Sequence, residues 1–164
     1  MDFAARITRQ PIPADIARGQ SALEATGIQD PRLADLIRGA AGCSPYLAGL
    51  IGREADWLAE ALAHEDVVAR ETAGYESLSA EALGPALRRA KRRVALWAAL
   101  ADLGGGWRLE QVTGALTDLA DRATDLALRV HVAAERARGK LPPTEADAGG
   151  IVALAMGKMG AGEL

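Results

Sequence analysis

The run Leu83-Gly-Pro-Ala-Leu-Arg-Arg-Ala-Lys-Arg-Arg-Val-Ala-Leu-Trp-Ala-Ala-Leu-Ala-Asp-Leu-Gly-Gly-Gly106, with the stretch Leu109 to Ala133 that follows it, decides the fold class. Leu83, Leu87, Ala90, Val94, Trp97 and Ala101 recur at steps of four and three, so they share one helical face, and three successive glycines end the run. Beyond them Leu109, Val112, Leu116, Leu119, Ala123, Leu126, Val130 and Ala133 alternate steps of three and four until Gly139 and Pro142-Pro143. The pattern predicts two long antiparallel helices joined by a glycine turn. The heptad-like step also suits a coiled coil, but the alanines and the neighbouring helix of similar length favour an intramolecular bundle.

Working towards the amino terminus, turn signals divide a helical text. Pro11 and Pro13 precede a helical stretch from about Ala14 to Ala25, with Gly27 as its stop. Asp30-Pro31 and Ser44-Pro45 each place a capping side chain before a proline at the first helical position. Leu33, Leu36 and Ile37, and then Tyr46, Leu47, Leu50 and Ile51, give these two short helices apolar faces that suit a hairpin. Glu54 to Ala63 reads as a further amphipathic segment carrying Trp57, Leu58 and Leu62, and Gly74 and Ser77 mark a loop.

Towards the carboxyl terminus the text changes. Residues 141–150, rich in proline, acidic residues and glycine, read as a linker, and Ile151 to Ala155 reads as an apolar β-type run. Gly157, Gly160 and Gly162 follow at once, the way a nucleotide-binding strand and turn begin, because glycine admits a phosphate close to the backbone. The spacing matches neither a Walker A loop nor a dinucleotide fingerprint.

Composition bounds the functional classes. The 164 residues suit one core, and with 49% hydrophobic but only 4% aromatic residues that core is built of alanine, leucine and valine, as in closely packed helices. A formal charge of −3 argues against a protein devoted to non-specific nucleic-acid binding. One cysteine and two histidines make neither a disulfide framework nor a structural zinc site, and no apolar run reaches membrane-spanning length. A reducing cytoplasm is the expected compartment, and the amino terminus lacks the pattern of an export signal.

Few residues are equipped for chemistry. Arg88, Arg89, Lys91, Arg92 and Arg93 place five positive charges in six positions, enough for a phosphate, an acidic protein surface or RNA, although a solvated helix face is the plainer reading. Five charges cover more than half of a helix, so some must lie beside the core, with Asp102, Asp118 or Asp121 as expected partners. Asp118, Asp121 and Asp125 share a helical face that suits a metal or simply solvent. His64 and His131 stand alone, and Cys43, before a helix start, reads as structural.

The run Ala155-Met-Gly-Lys-Met-Gly-Ala-Gly-Glu-Leu164 resembles the opening of the nucleotidyltransferase domain in the glutamine synthetase adenylyltransferase family. Three further stretches resemble family elements in order: Cys43-Ser-Pro-Tyr-Leu47, the basic helix from Leu87 to Arg93 ending in Ala101-Asp-Leu103, and Leu116-Thr-Asp-Leu-Ala-Asp121. The resemblance implies a two-headed enzyme that attaches AMP to a tyrosine of glutamine synthetase with one domain and removes it by phosphorolysis with the other. It implies Mg²⁺ and ATP or phosphate as cofactors of the full-length enzyme and none bound to this portion. It implies glutamine synthetase and a PII-type signal protein as partners, and neither nucleic acid nor a membrane.

The expected architecture is a mainly α helical bundle over 1–140, a linker over 141–150, and over 151–164 the first strand and glycine-rich turn of a truncated α/β nucleotidyltransferase domain. By resemblance Gly160 and Ala161 match the turn that approaches the nucleotide, with Lys158 beside them. Ala161 and Gly162 stand where the family has a glycine and an arginine, so that arginine's phosphate contact does not transfer. The family's metal-binding aspartates follow that turn and lie beyond Leu164, so the expectation is a portion inactive alone, with no catalytic or metal residue of its own. A self-contained helical interaction module is the alternative.

Overall fold

The structure, a computed structural model, describes residues 3–62, 67–142 and 148–164. Nine helices are present among these residues: α1 (Phe3–Arg6), α2 (Ile16–Thr26), α3 (Pro31–Cys43), α4 (Pro45–Arg53), α5 (Ala55–Ala61), α6 (Val67–Glu71), α7 (Ala80–Leu103), α8 (Leu109–Ala137) and α9 (Gly157–Gly160). A 3-10 turn at Tyr75–Ser77 leads into α7. No strand occurs among the described residues.

Local chemistry sets the helix ends. Asp15 accepts from the backbone N–H of Arg18, Asp30 from those of Arg32 and Leu33, Ser44 from that of Leu47 and Ser79 from that of Ala82. Each side chain satisfies a donor that the first helical turn leaves without a partner, which stabilises a helix by about 1 kcal/mol. Pro31 and Pro45 sit at first-turn positions where their missing N–H removes nothing. Gly27, at φ 64°, closes α2 in the left-handed region.

The hydrophobic effect then gathers the helices around α7. Trp97, Leu36, Ile37, Ile51, Leu58, Leu83, Leu96, Leu100 and Leu126 are fully buried, contributed by α3, α4, α5, α7 and α8. Phe3 packs on Trp97 with ring centroids 4.9 Å apart, and Trp107 meets Trp97 edge-on at 6.2 Å. The amino-terminal segment is tied to the end of α7 as well, since the backbone N–H groups of Thr8 and Arg9 donate to the Gly104 carbonyl at 2.8 and 3.1 Å. That approach requires the glycine turn: a Cβ on Gly105 would stand 2.3 Å from Thr8 Oγ1, and one on Gly106 2.8 Å from the Phe3 ring.

The long pair forms as the periodicity predicts, with α7 against α8. The seam on α8 is narrower than expected, because Leu119, Leu126 and Val130 are buried while Leu109 and Ala133, its outermost members, are exposed. Among the short helices α2 lies against α3 more extensively than α3 against α4, so the tighter hairpin is α2–α3. Small residues explain that choice. A Cβ on Gly19 would fall 2.4 Å from the Arg38 carbonyl oxygen, so the two backbones touch where no side chain intervenes. The segment expected over Glu54–Ala63 is helical over Ala55–Ala61; Ala63 and His64 lie outside the described residues, as do residues 143–147 of the linker.

The run Ile151 to Ala155, expected as a strand, is neither strand nor helix. A strand is defined by its ladder, and one segment without neighbours has nothing to bond to. It lies over α8, where Ile151, Val152 and Ala153 form an open trough of about 580 Å³ with Ala123, Ala127, Leu128 and His131. Leu164 N–H donates to Thr117 Oγ1 at 3.4 Å, and Ile151, Val152, Leu154 and Met156 remain largely exposed.

Close backbone contact gives a prediction of opposite signs for the same substitution. Gly39 lies inside α3 with the Pro11 carbonyl oxygen 2.0 Å from where a Cβ would sit, whereas Gly49 in α4 faces open space. Gly39→Ala should cost about 1–3 kcal/mol through overpacking, and Gly49→Ala should add about 0.5–1 kcal/mol through helix propensity. Urea unfolding followed by circular dichroism measures both.

Candidate functional site

The basic helix is resolved by two glutamates. Glu54, at the junction of α4 and α5, is only 5% exposed and accepts from Arg92 Nε at 2.9 Å and Arg93 Nε at 2.8 Å. Arg93 Nη1 reaches Glu71 of α6 at 3.0 Å, and the other Glu71 oxygen accepts from Trp57 Nε1 at 2.7 Å. The Arg93 guanidinium also lies 5.0 Å over the Trp57 ring, a cation–π contact. Four elements thus meet at one charged cluster. The partners are Glu54 and Glu71, not the expected Asp102, Asp118 or Asp121. Asp102 faces Arg9 at the far end of α7, and Asp118 and Asp121 are exposed on α8.

Electrostatics follow from this geometry. Burial alone would raise the Glu54 carboxyl, but hydrogen bonds from Arg93 and Arg92 and their positive charges outweigh it and hold the group below the ordinary 4.5. Burial likewise works against the charge on Arg93, and hydrogen bonds to Glu54 and Glu71 reverse the balance, so its guanidinium binds its proton more firmly than a free one. The cluster is a structural lock with paired charges. Its formal charges, two negative and two positive, cancel.

The other candidate residues do not converge. Asp125 pairs with Arg129 one turn along α8, and among the described residues no group of three or more His, Cys, Asp or Glu is placed to hold a metal ion. Asp118 instead lines an open cleft of about 720 Å³ between α6 and α8, with Thr72, Trp107, Gln111 and Arg122. His131 is exposed beside the apolar trough. Cys43 donates its thiol to the Ile12 carbonyl at 3.0 Å, which fastens the segment before α2 to the end of α3.

Lys158 and Gly160 belong to the one-turn helix α9, and Ala161 caps it; Gly160 and Ala161 are exposed. The close approach at Gly160 is to the chain's own backbone, since a Cβ there would meet the Ala155 carbonyl oxygen at 2.6 Å. Gly157 and Gly162 adopt φ 62° and 72°, the left-handed conformation that glycine admits without strain. The cluster at Glu54 is not foreseen from the sequence. Its one signal there is a glutamate directly before a helix whose apolar positions begin at Ala55.

Removing one member of the cluster leaves uncompensated charge. Glu54→Gln should lower stability by about 3 kcal/mol in chemical unfolding at neutral pH. Because the folded-state pKa of Glu54 is depressed, its contribution is fully present above 4.5 and is lost as pH falls through the lower folded value. The wild type should therefore lose more stability than Glu54→Gln on acidification below pH 4.5, with the two curves converging.

Known proteins bear on this arrangement through sequence. The sequence profile of glutamate-ammonia ligase adenylyltransferase matches residues 34–164, from α3 through the glycine-rich turn. The bifunctional glutamine synthetase adenylyltransferase/adenylyl-removing enzyme of Rhodopseudomonas palustris strain BisB5 is 38% identical over 164 positions, 93% of this chain and 16% of the relative. Its counterpart in Bradyrhizobium sp. strain BTAi1 is 39% identical over 160 positions, 91% of this chain and 16% of the relative. The counterpart in Caulobacter vibrioides is 40% identical over 131 positions, 74% and 13% respectively. The chain thus spans about one sixth of the length of these relatives. No solved structure is significantly similar to it. With the profile running through α3, the arginine helix, α8 and the terminal glycines alike, the chain belongs to the glutamate-ammonia ligase adenylyltransferase family.

Proposed function

We propose that this chain is the helical part of the adenylyl-removing half of a bifunctional enzyme that adds AMP to a tyrosine of glutamine synthetase and removes it again. The observation that carries the reading is that similarity to a relative of that name covers 93% of the chain, and the family profile spans helices and terminal turn together. Residues 1–140 serve as a scaffold, 141–150 as a linker, and 151–164 as the start of the nucleotidyltransferase domain. The exposed apolar run Ile151 to Met156 supports this, because an apolar segment lying unpaired over α8 has the composition of a buried strand.

In this reading Gly160, Ala161 and Lys158 border the nucleotide, and the longer enzyme uses Mg²⁺ with ATP or phosphate. In the same reading the work of this chain is support and orientation. Removal is a phosphorolysis: a phosphate oxygen bonds to the AMP phosphorus, the bond to the tyrosine oxygen breaks, the tyrosine takes up a proton, and ADP leaves. The proposed partners are glutamine synthetase and a PII-type signal protein, with no nucleic acid, in the cytoplasm. No helix among the described residues is long and apolar enough to cross a membrane.

The test uses the protein expressed from the gene that carries this chain. Incubated with adenylylated glutamine synthetase, Mg²⁺ and inorganic phosphate, it should release ADP in step with loss of AMP from the synthetase, and with ATP it should restore the AMP. Absence of both phosphate-dependent ADP release and AMP incorporation would overturn the proposal.

A further inference from the structure

The charges that the cluster at Glu54 does not neutralise point outward. Arg88, Arg89 and Lys91 are exposed on α7, Arg53 is exposed at the end of α4, and none of the four has an ion pair with a described carboxylate. Several arginines elsewhere are neutralised locally: Arg38, Arg129 and Arg138 find carboxylates three or four positions away on the same helix or at its end. On α7 that remedy is missing. The positions three and four away from Arg88, Arg89 and Lys91 hold Gly84, Pro85, Ala86, Leu87, Val94, Ala95 or another cation of the same run, so the neighbouring side chains are apolar or carry the same charge. Three like-charged neighbours therefore coexist on a helix whose orientation is held from below, in a chain with net charge −3.

We propose that Arg88, Arg89 and Lys91, spread over the solvent-facing half of one turn of α7, form a docking surface for a protein that presents clustered carboxylates. Charge complementarity is the argument: an acidic face relieves the repulsion among Arg88, Arg89 and Lys91 and meets cations carried on a helix already held in place, so little ordering is needed on binding. The patch suits a protein better than a nucleic acid. From Arg88 to Lys91 the helix rises only about 4.5 Å, so the cations are confined to one turn and do not form a track along a phosphate backbone. This goes beyond the enzymatic reading above and stands or falls independently of the phosphorolysis assay.

The experiment titrates a fluorescein-labelled deca-glutamate peptide with the protein at about 50 mM NaCl and reads fluorescence anisotropy. Three proteins are compared: wild type, R88Q/R89Q/K91Q, and R32Q/R138Q/K140Q, which removes the same charge elsewhere. Thermal melts confirm that each is folded. The proposal predicts roughly a tenfold or greater loss of affinity in the first variant, less than about a twofold change in the second, and a steep fall for wild type at about 200 mM NaCl. Equal losses in the two variants, no binding by wild type at the lower salt, or roughly tenfold tighter binding of a single-stranded oligonucleotide of the same charge would each overturn it.

Discussion

The fold depends on one buried carboxylate shared by two consecutive arginines. Successive residues of a helix project about 100° apart, so Arg92 and Arg93 can reach the same group only if Glu54 lies between their two directions. That requirement fixes the rotation of α7 about its own axis. With the rotation fixed, Ala90, Val94 and Trp97 turn into the core, and Arg88, Arg89 and Lys91 turn to solvent. Glu71 extends the same lock to α6, and Trp57 extends it to α5. A hydrophobic stripe permits small rotations and slips; two half-buried arginines at its edge paired to a buried carboxylate do not, because displacement would leave that carboxylate without a partner.

The two ends of α7 are then set by different physics. At the amino end a serine cap and a 3-10 turn decide where the helix starts. At the carboxyl end Gly104, Gly105 and Gly106 let the first residues of the chain press against the helix terminus, where Phe3 covers Trp97. The same economy recurs at Gly19, where α2 meets the α3 backbone, and at Gly39 and Gly42, where α3 meets the Pro11 to Asp15 segment that precedes α2. Alanine and glycine thus build a dense bundle from a chain that has few aromatic residues.

Most of this architecture is legible in the order of residues, because periodicity and capping are local. Asp30-Pro31, Ser44-Pro45 and the steps from Leu83 to Ala101 each state their outcome within a few positions. The partners of the basic helix are not legible: Glu54 is 38 positions from Arg92, and nothing in the text ranks it above Asp102 or Asp118. The α2–α3 contact escapes for a related reason, since an interior glycine reads as a weakness in a helix until the opposing backbone is known. The strand expected at Ile151 is a nonlocal property as well. Its composition is apolar and suited to an extended chain, yet a ladder needs a second segment.

The profile begins at residue 34 within α3 and continues through the lock, the α7–α8 pair and the exposed terminal turn, so the scaffold and the turn belong to one family pattern. The lock ties α5, α6 and α7 together, and the apolar run beyond α8 lies on the surface of that helix. Glu54 and Arg93 act as a unit that sets α7. A double-mutant cycle with Glu54→Gln, Arg93→Gln and the pair tests it most directly, read by urea unfolding at neutral pH. A coupling of about 2 kcal/mol or more is expected, with the double variant more stable than the sum of the single losses implies. Losses that add to within about 0.3 kcal/mol would contradict it.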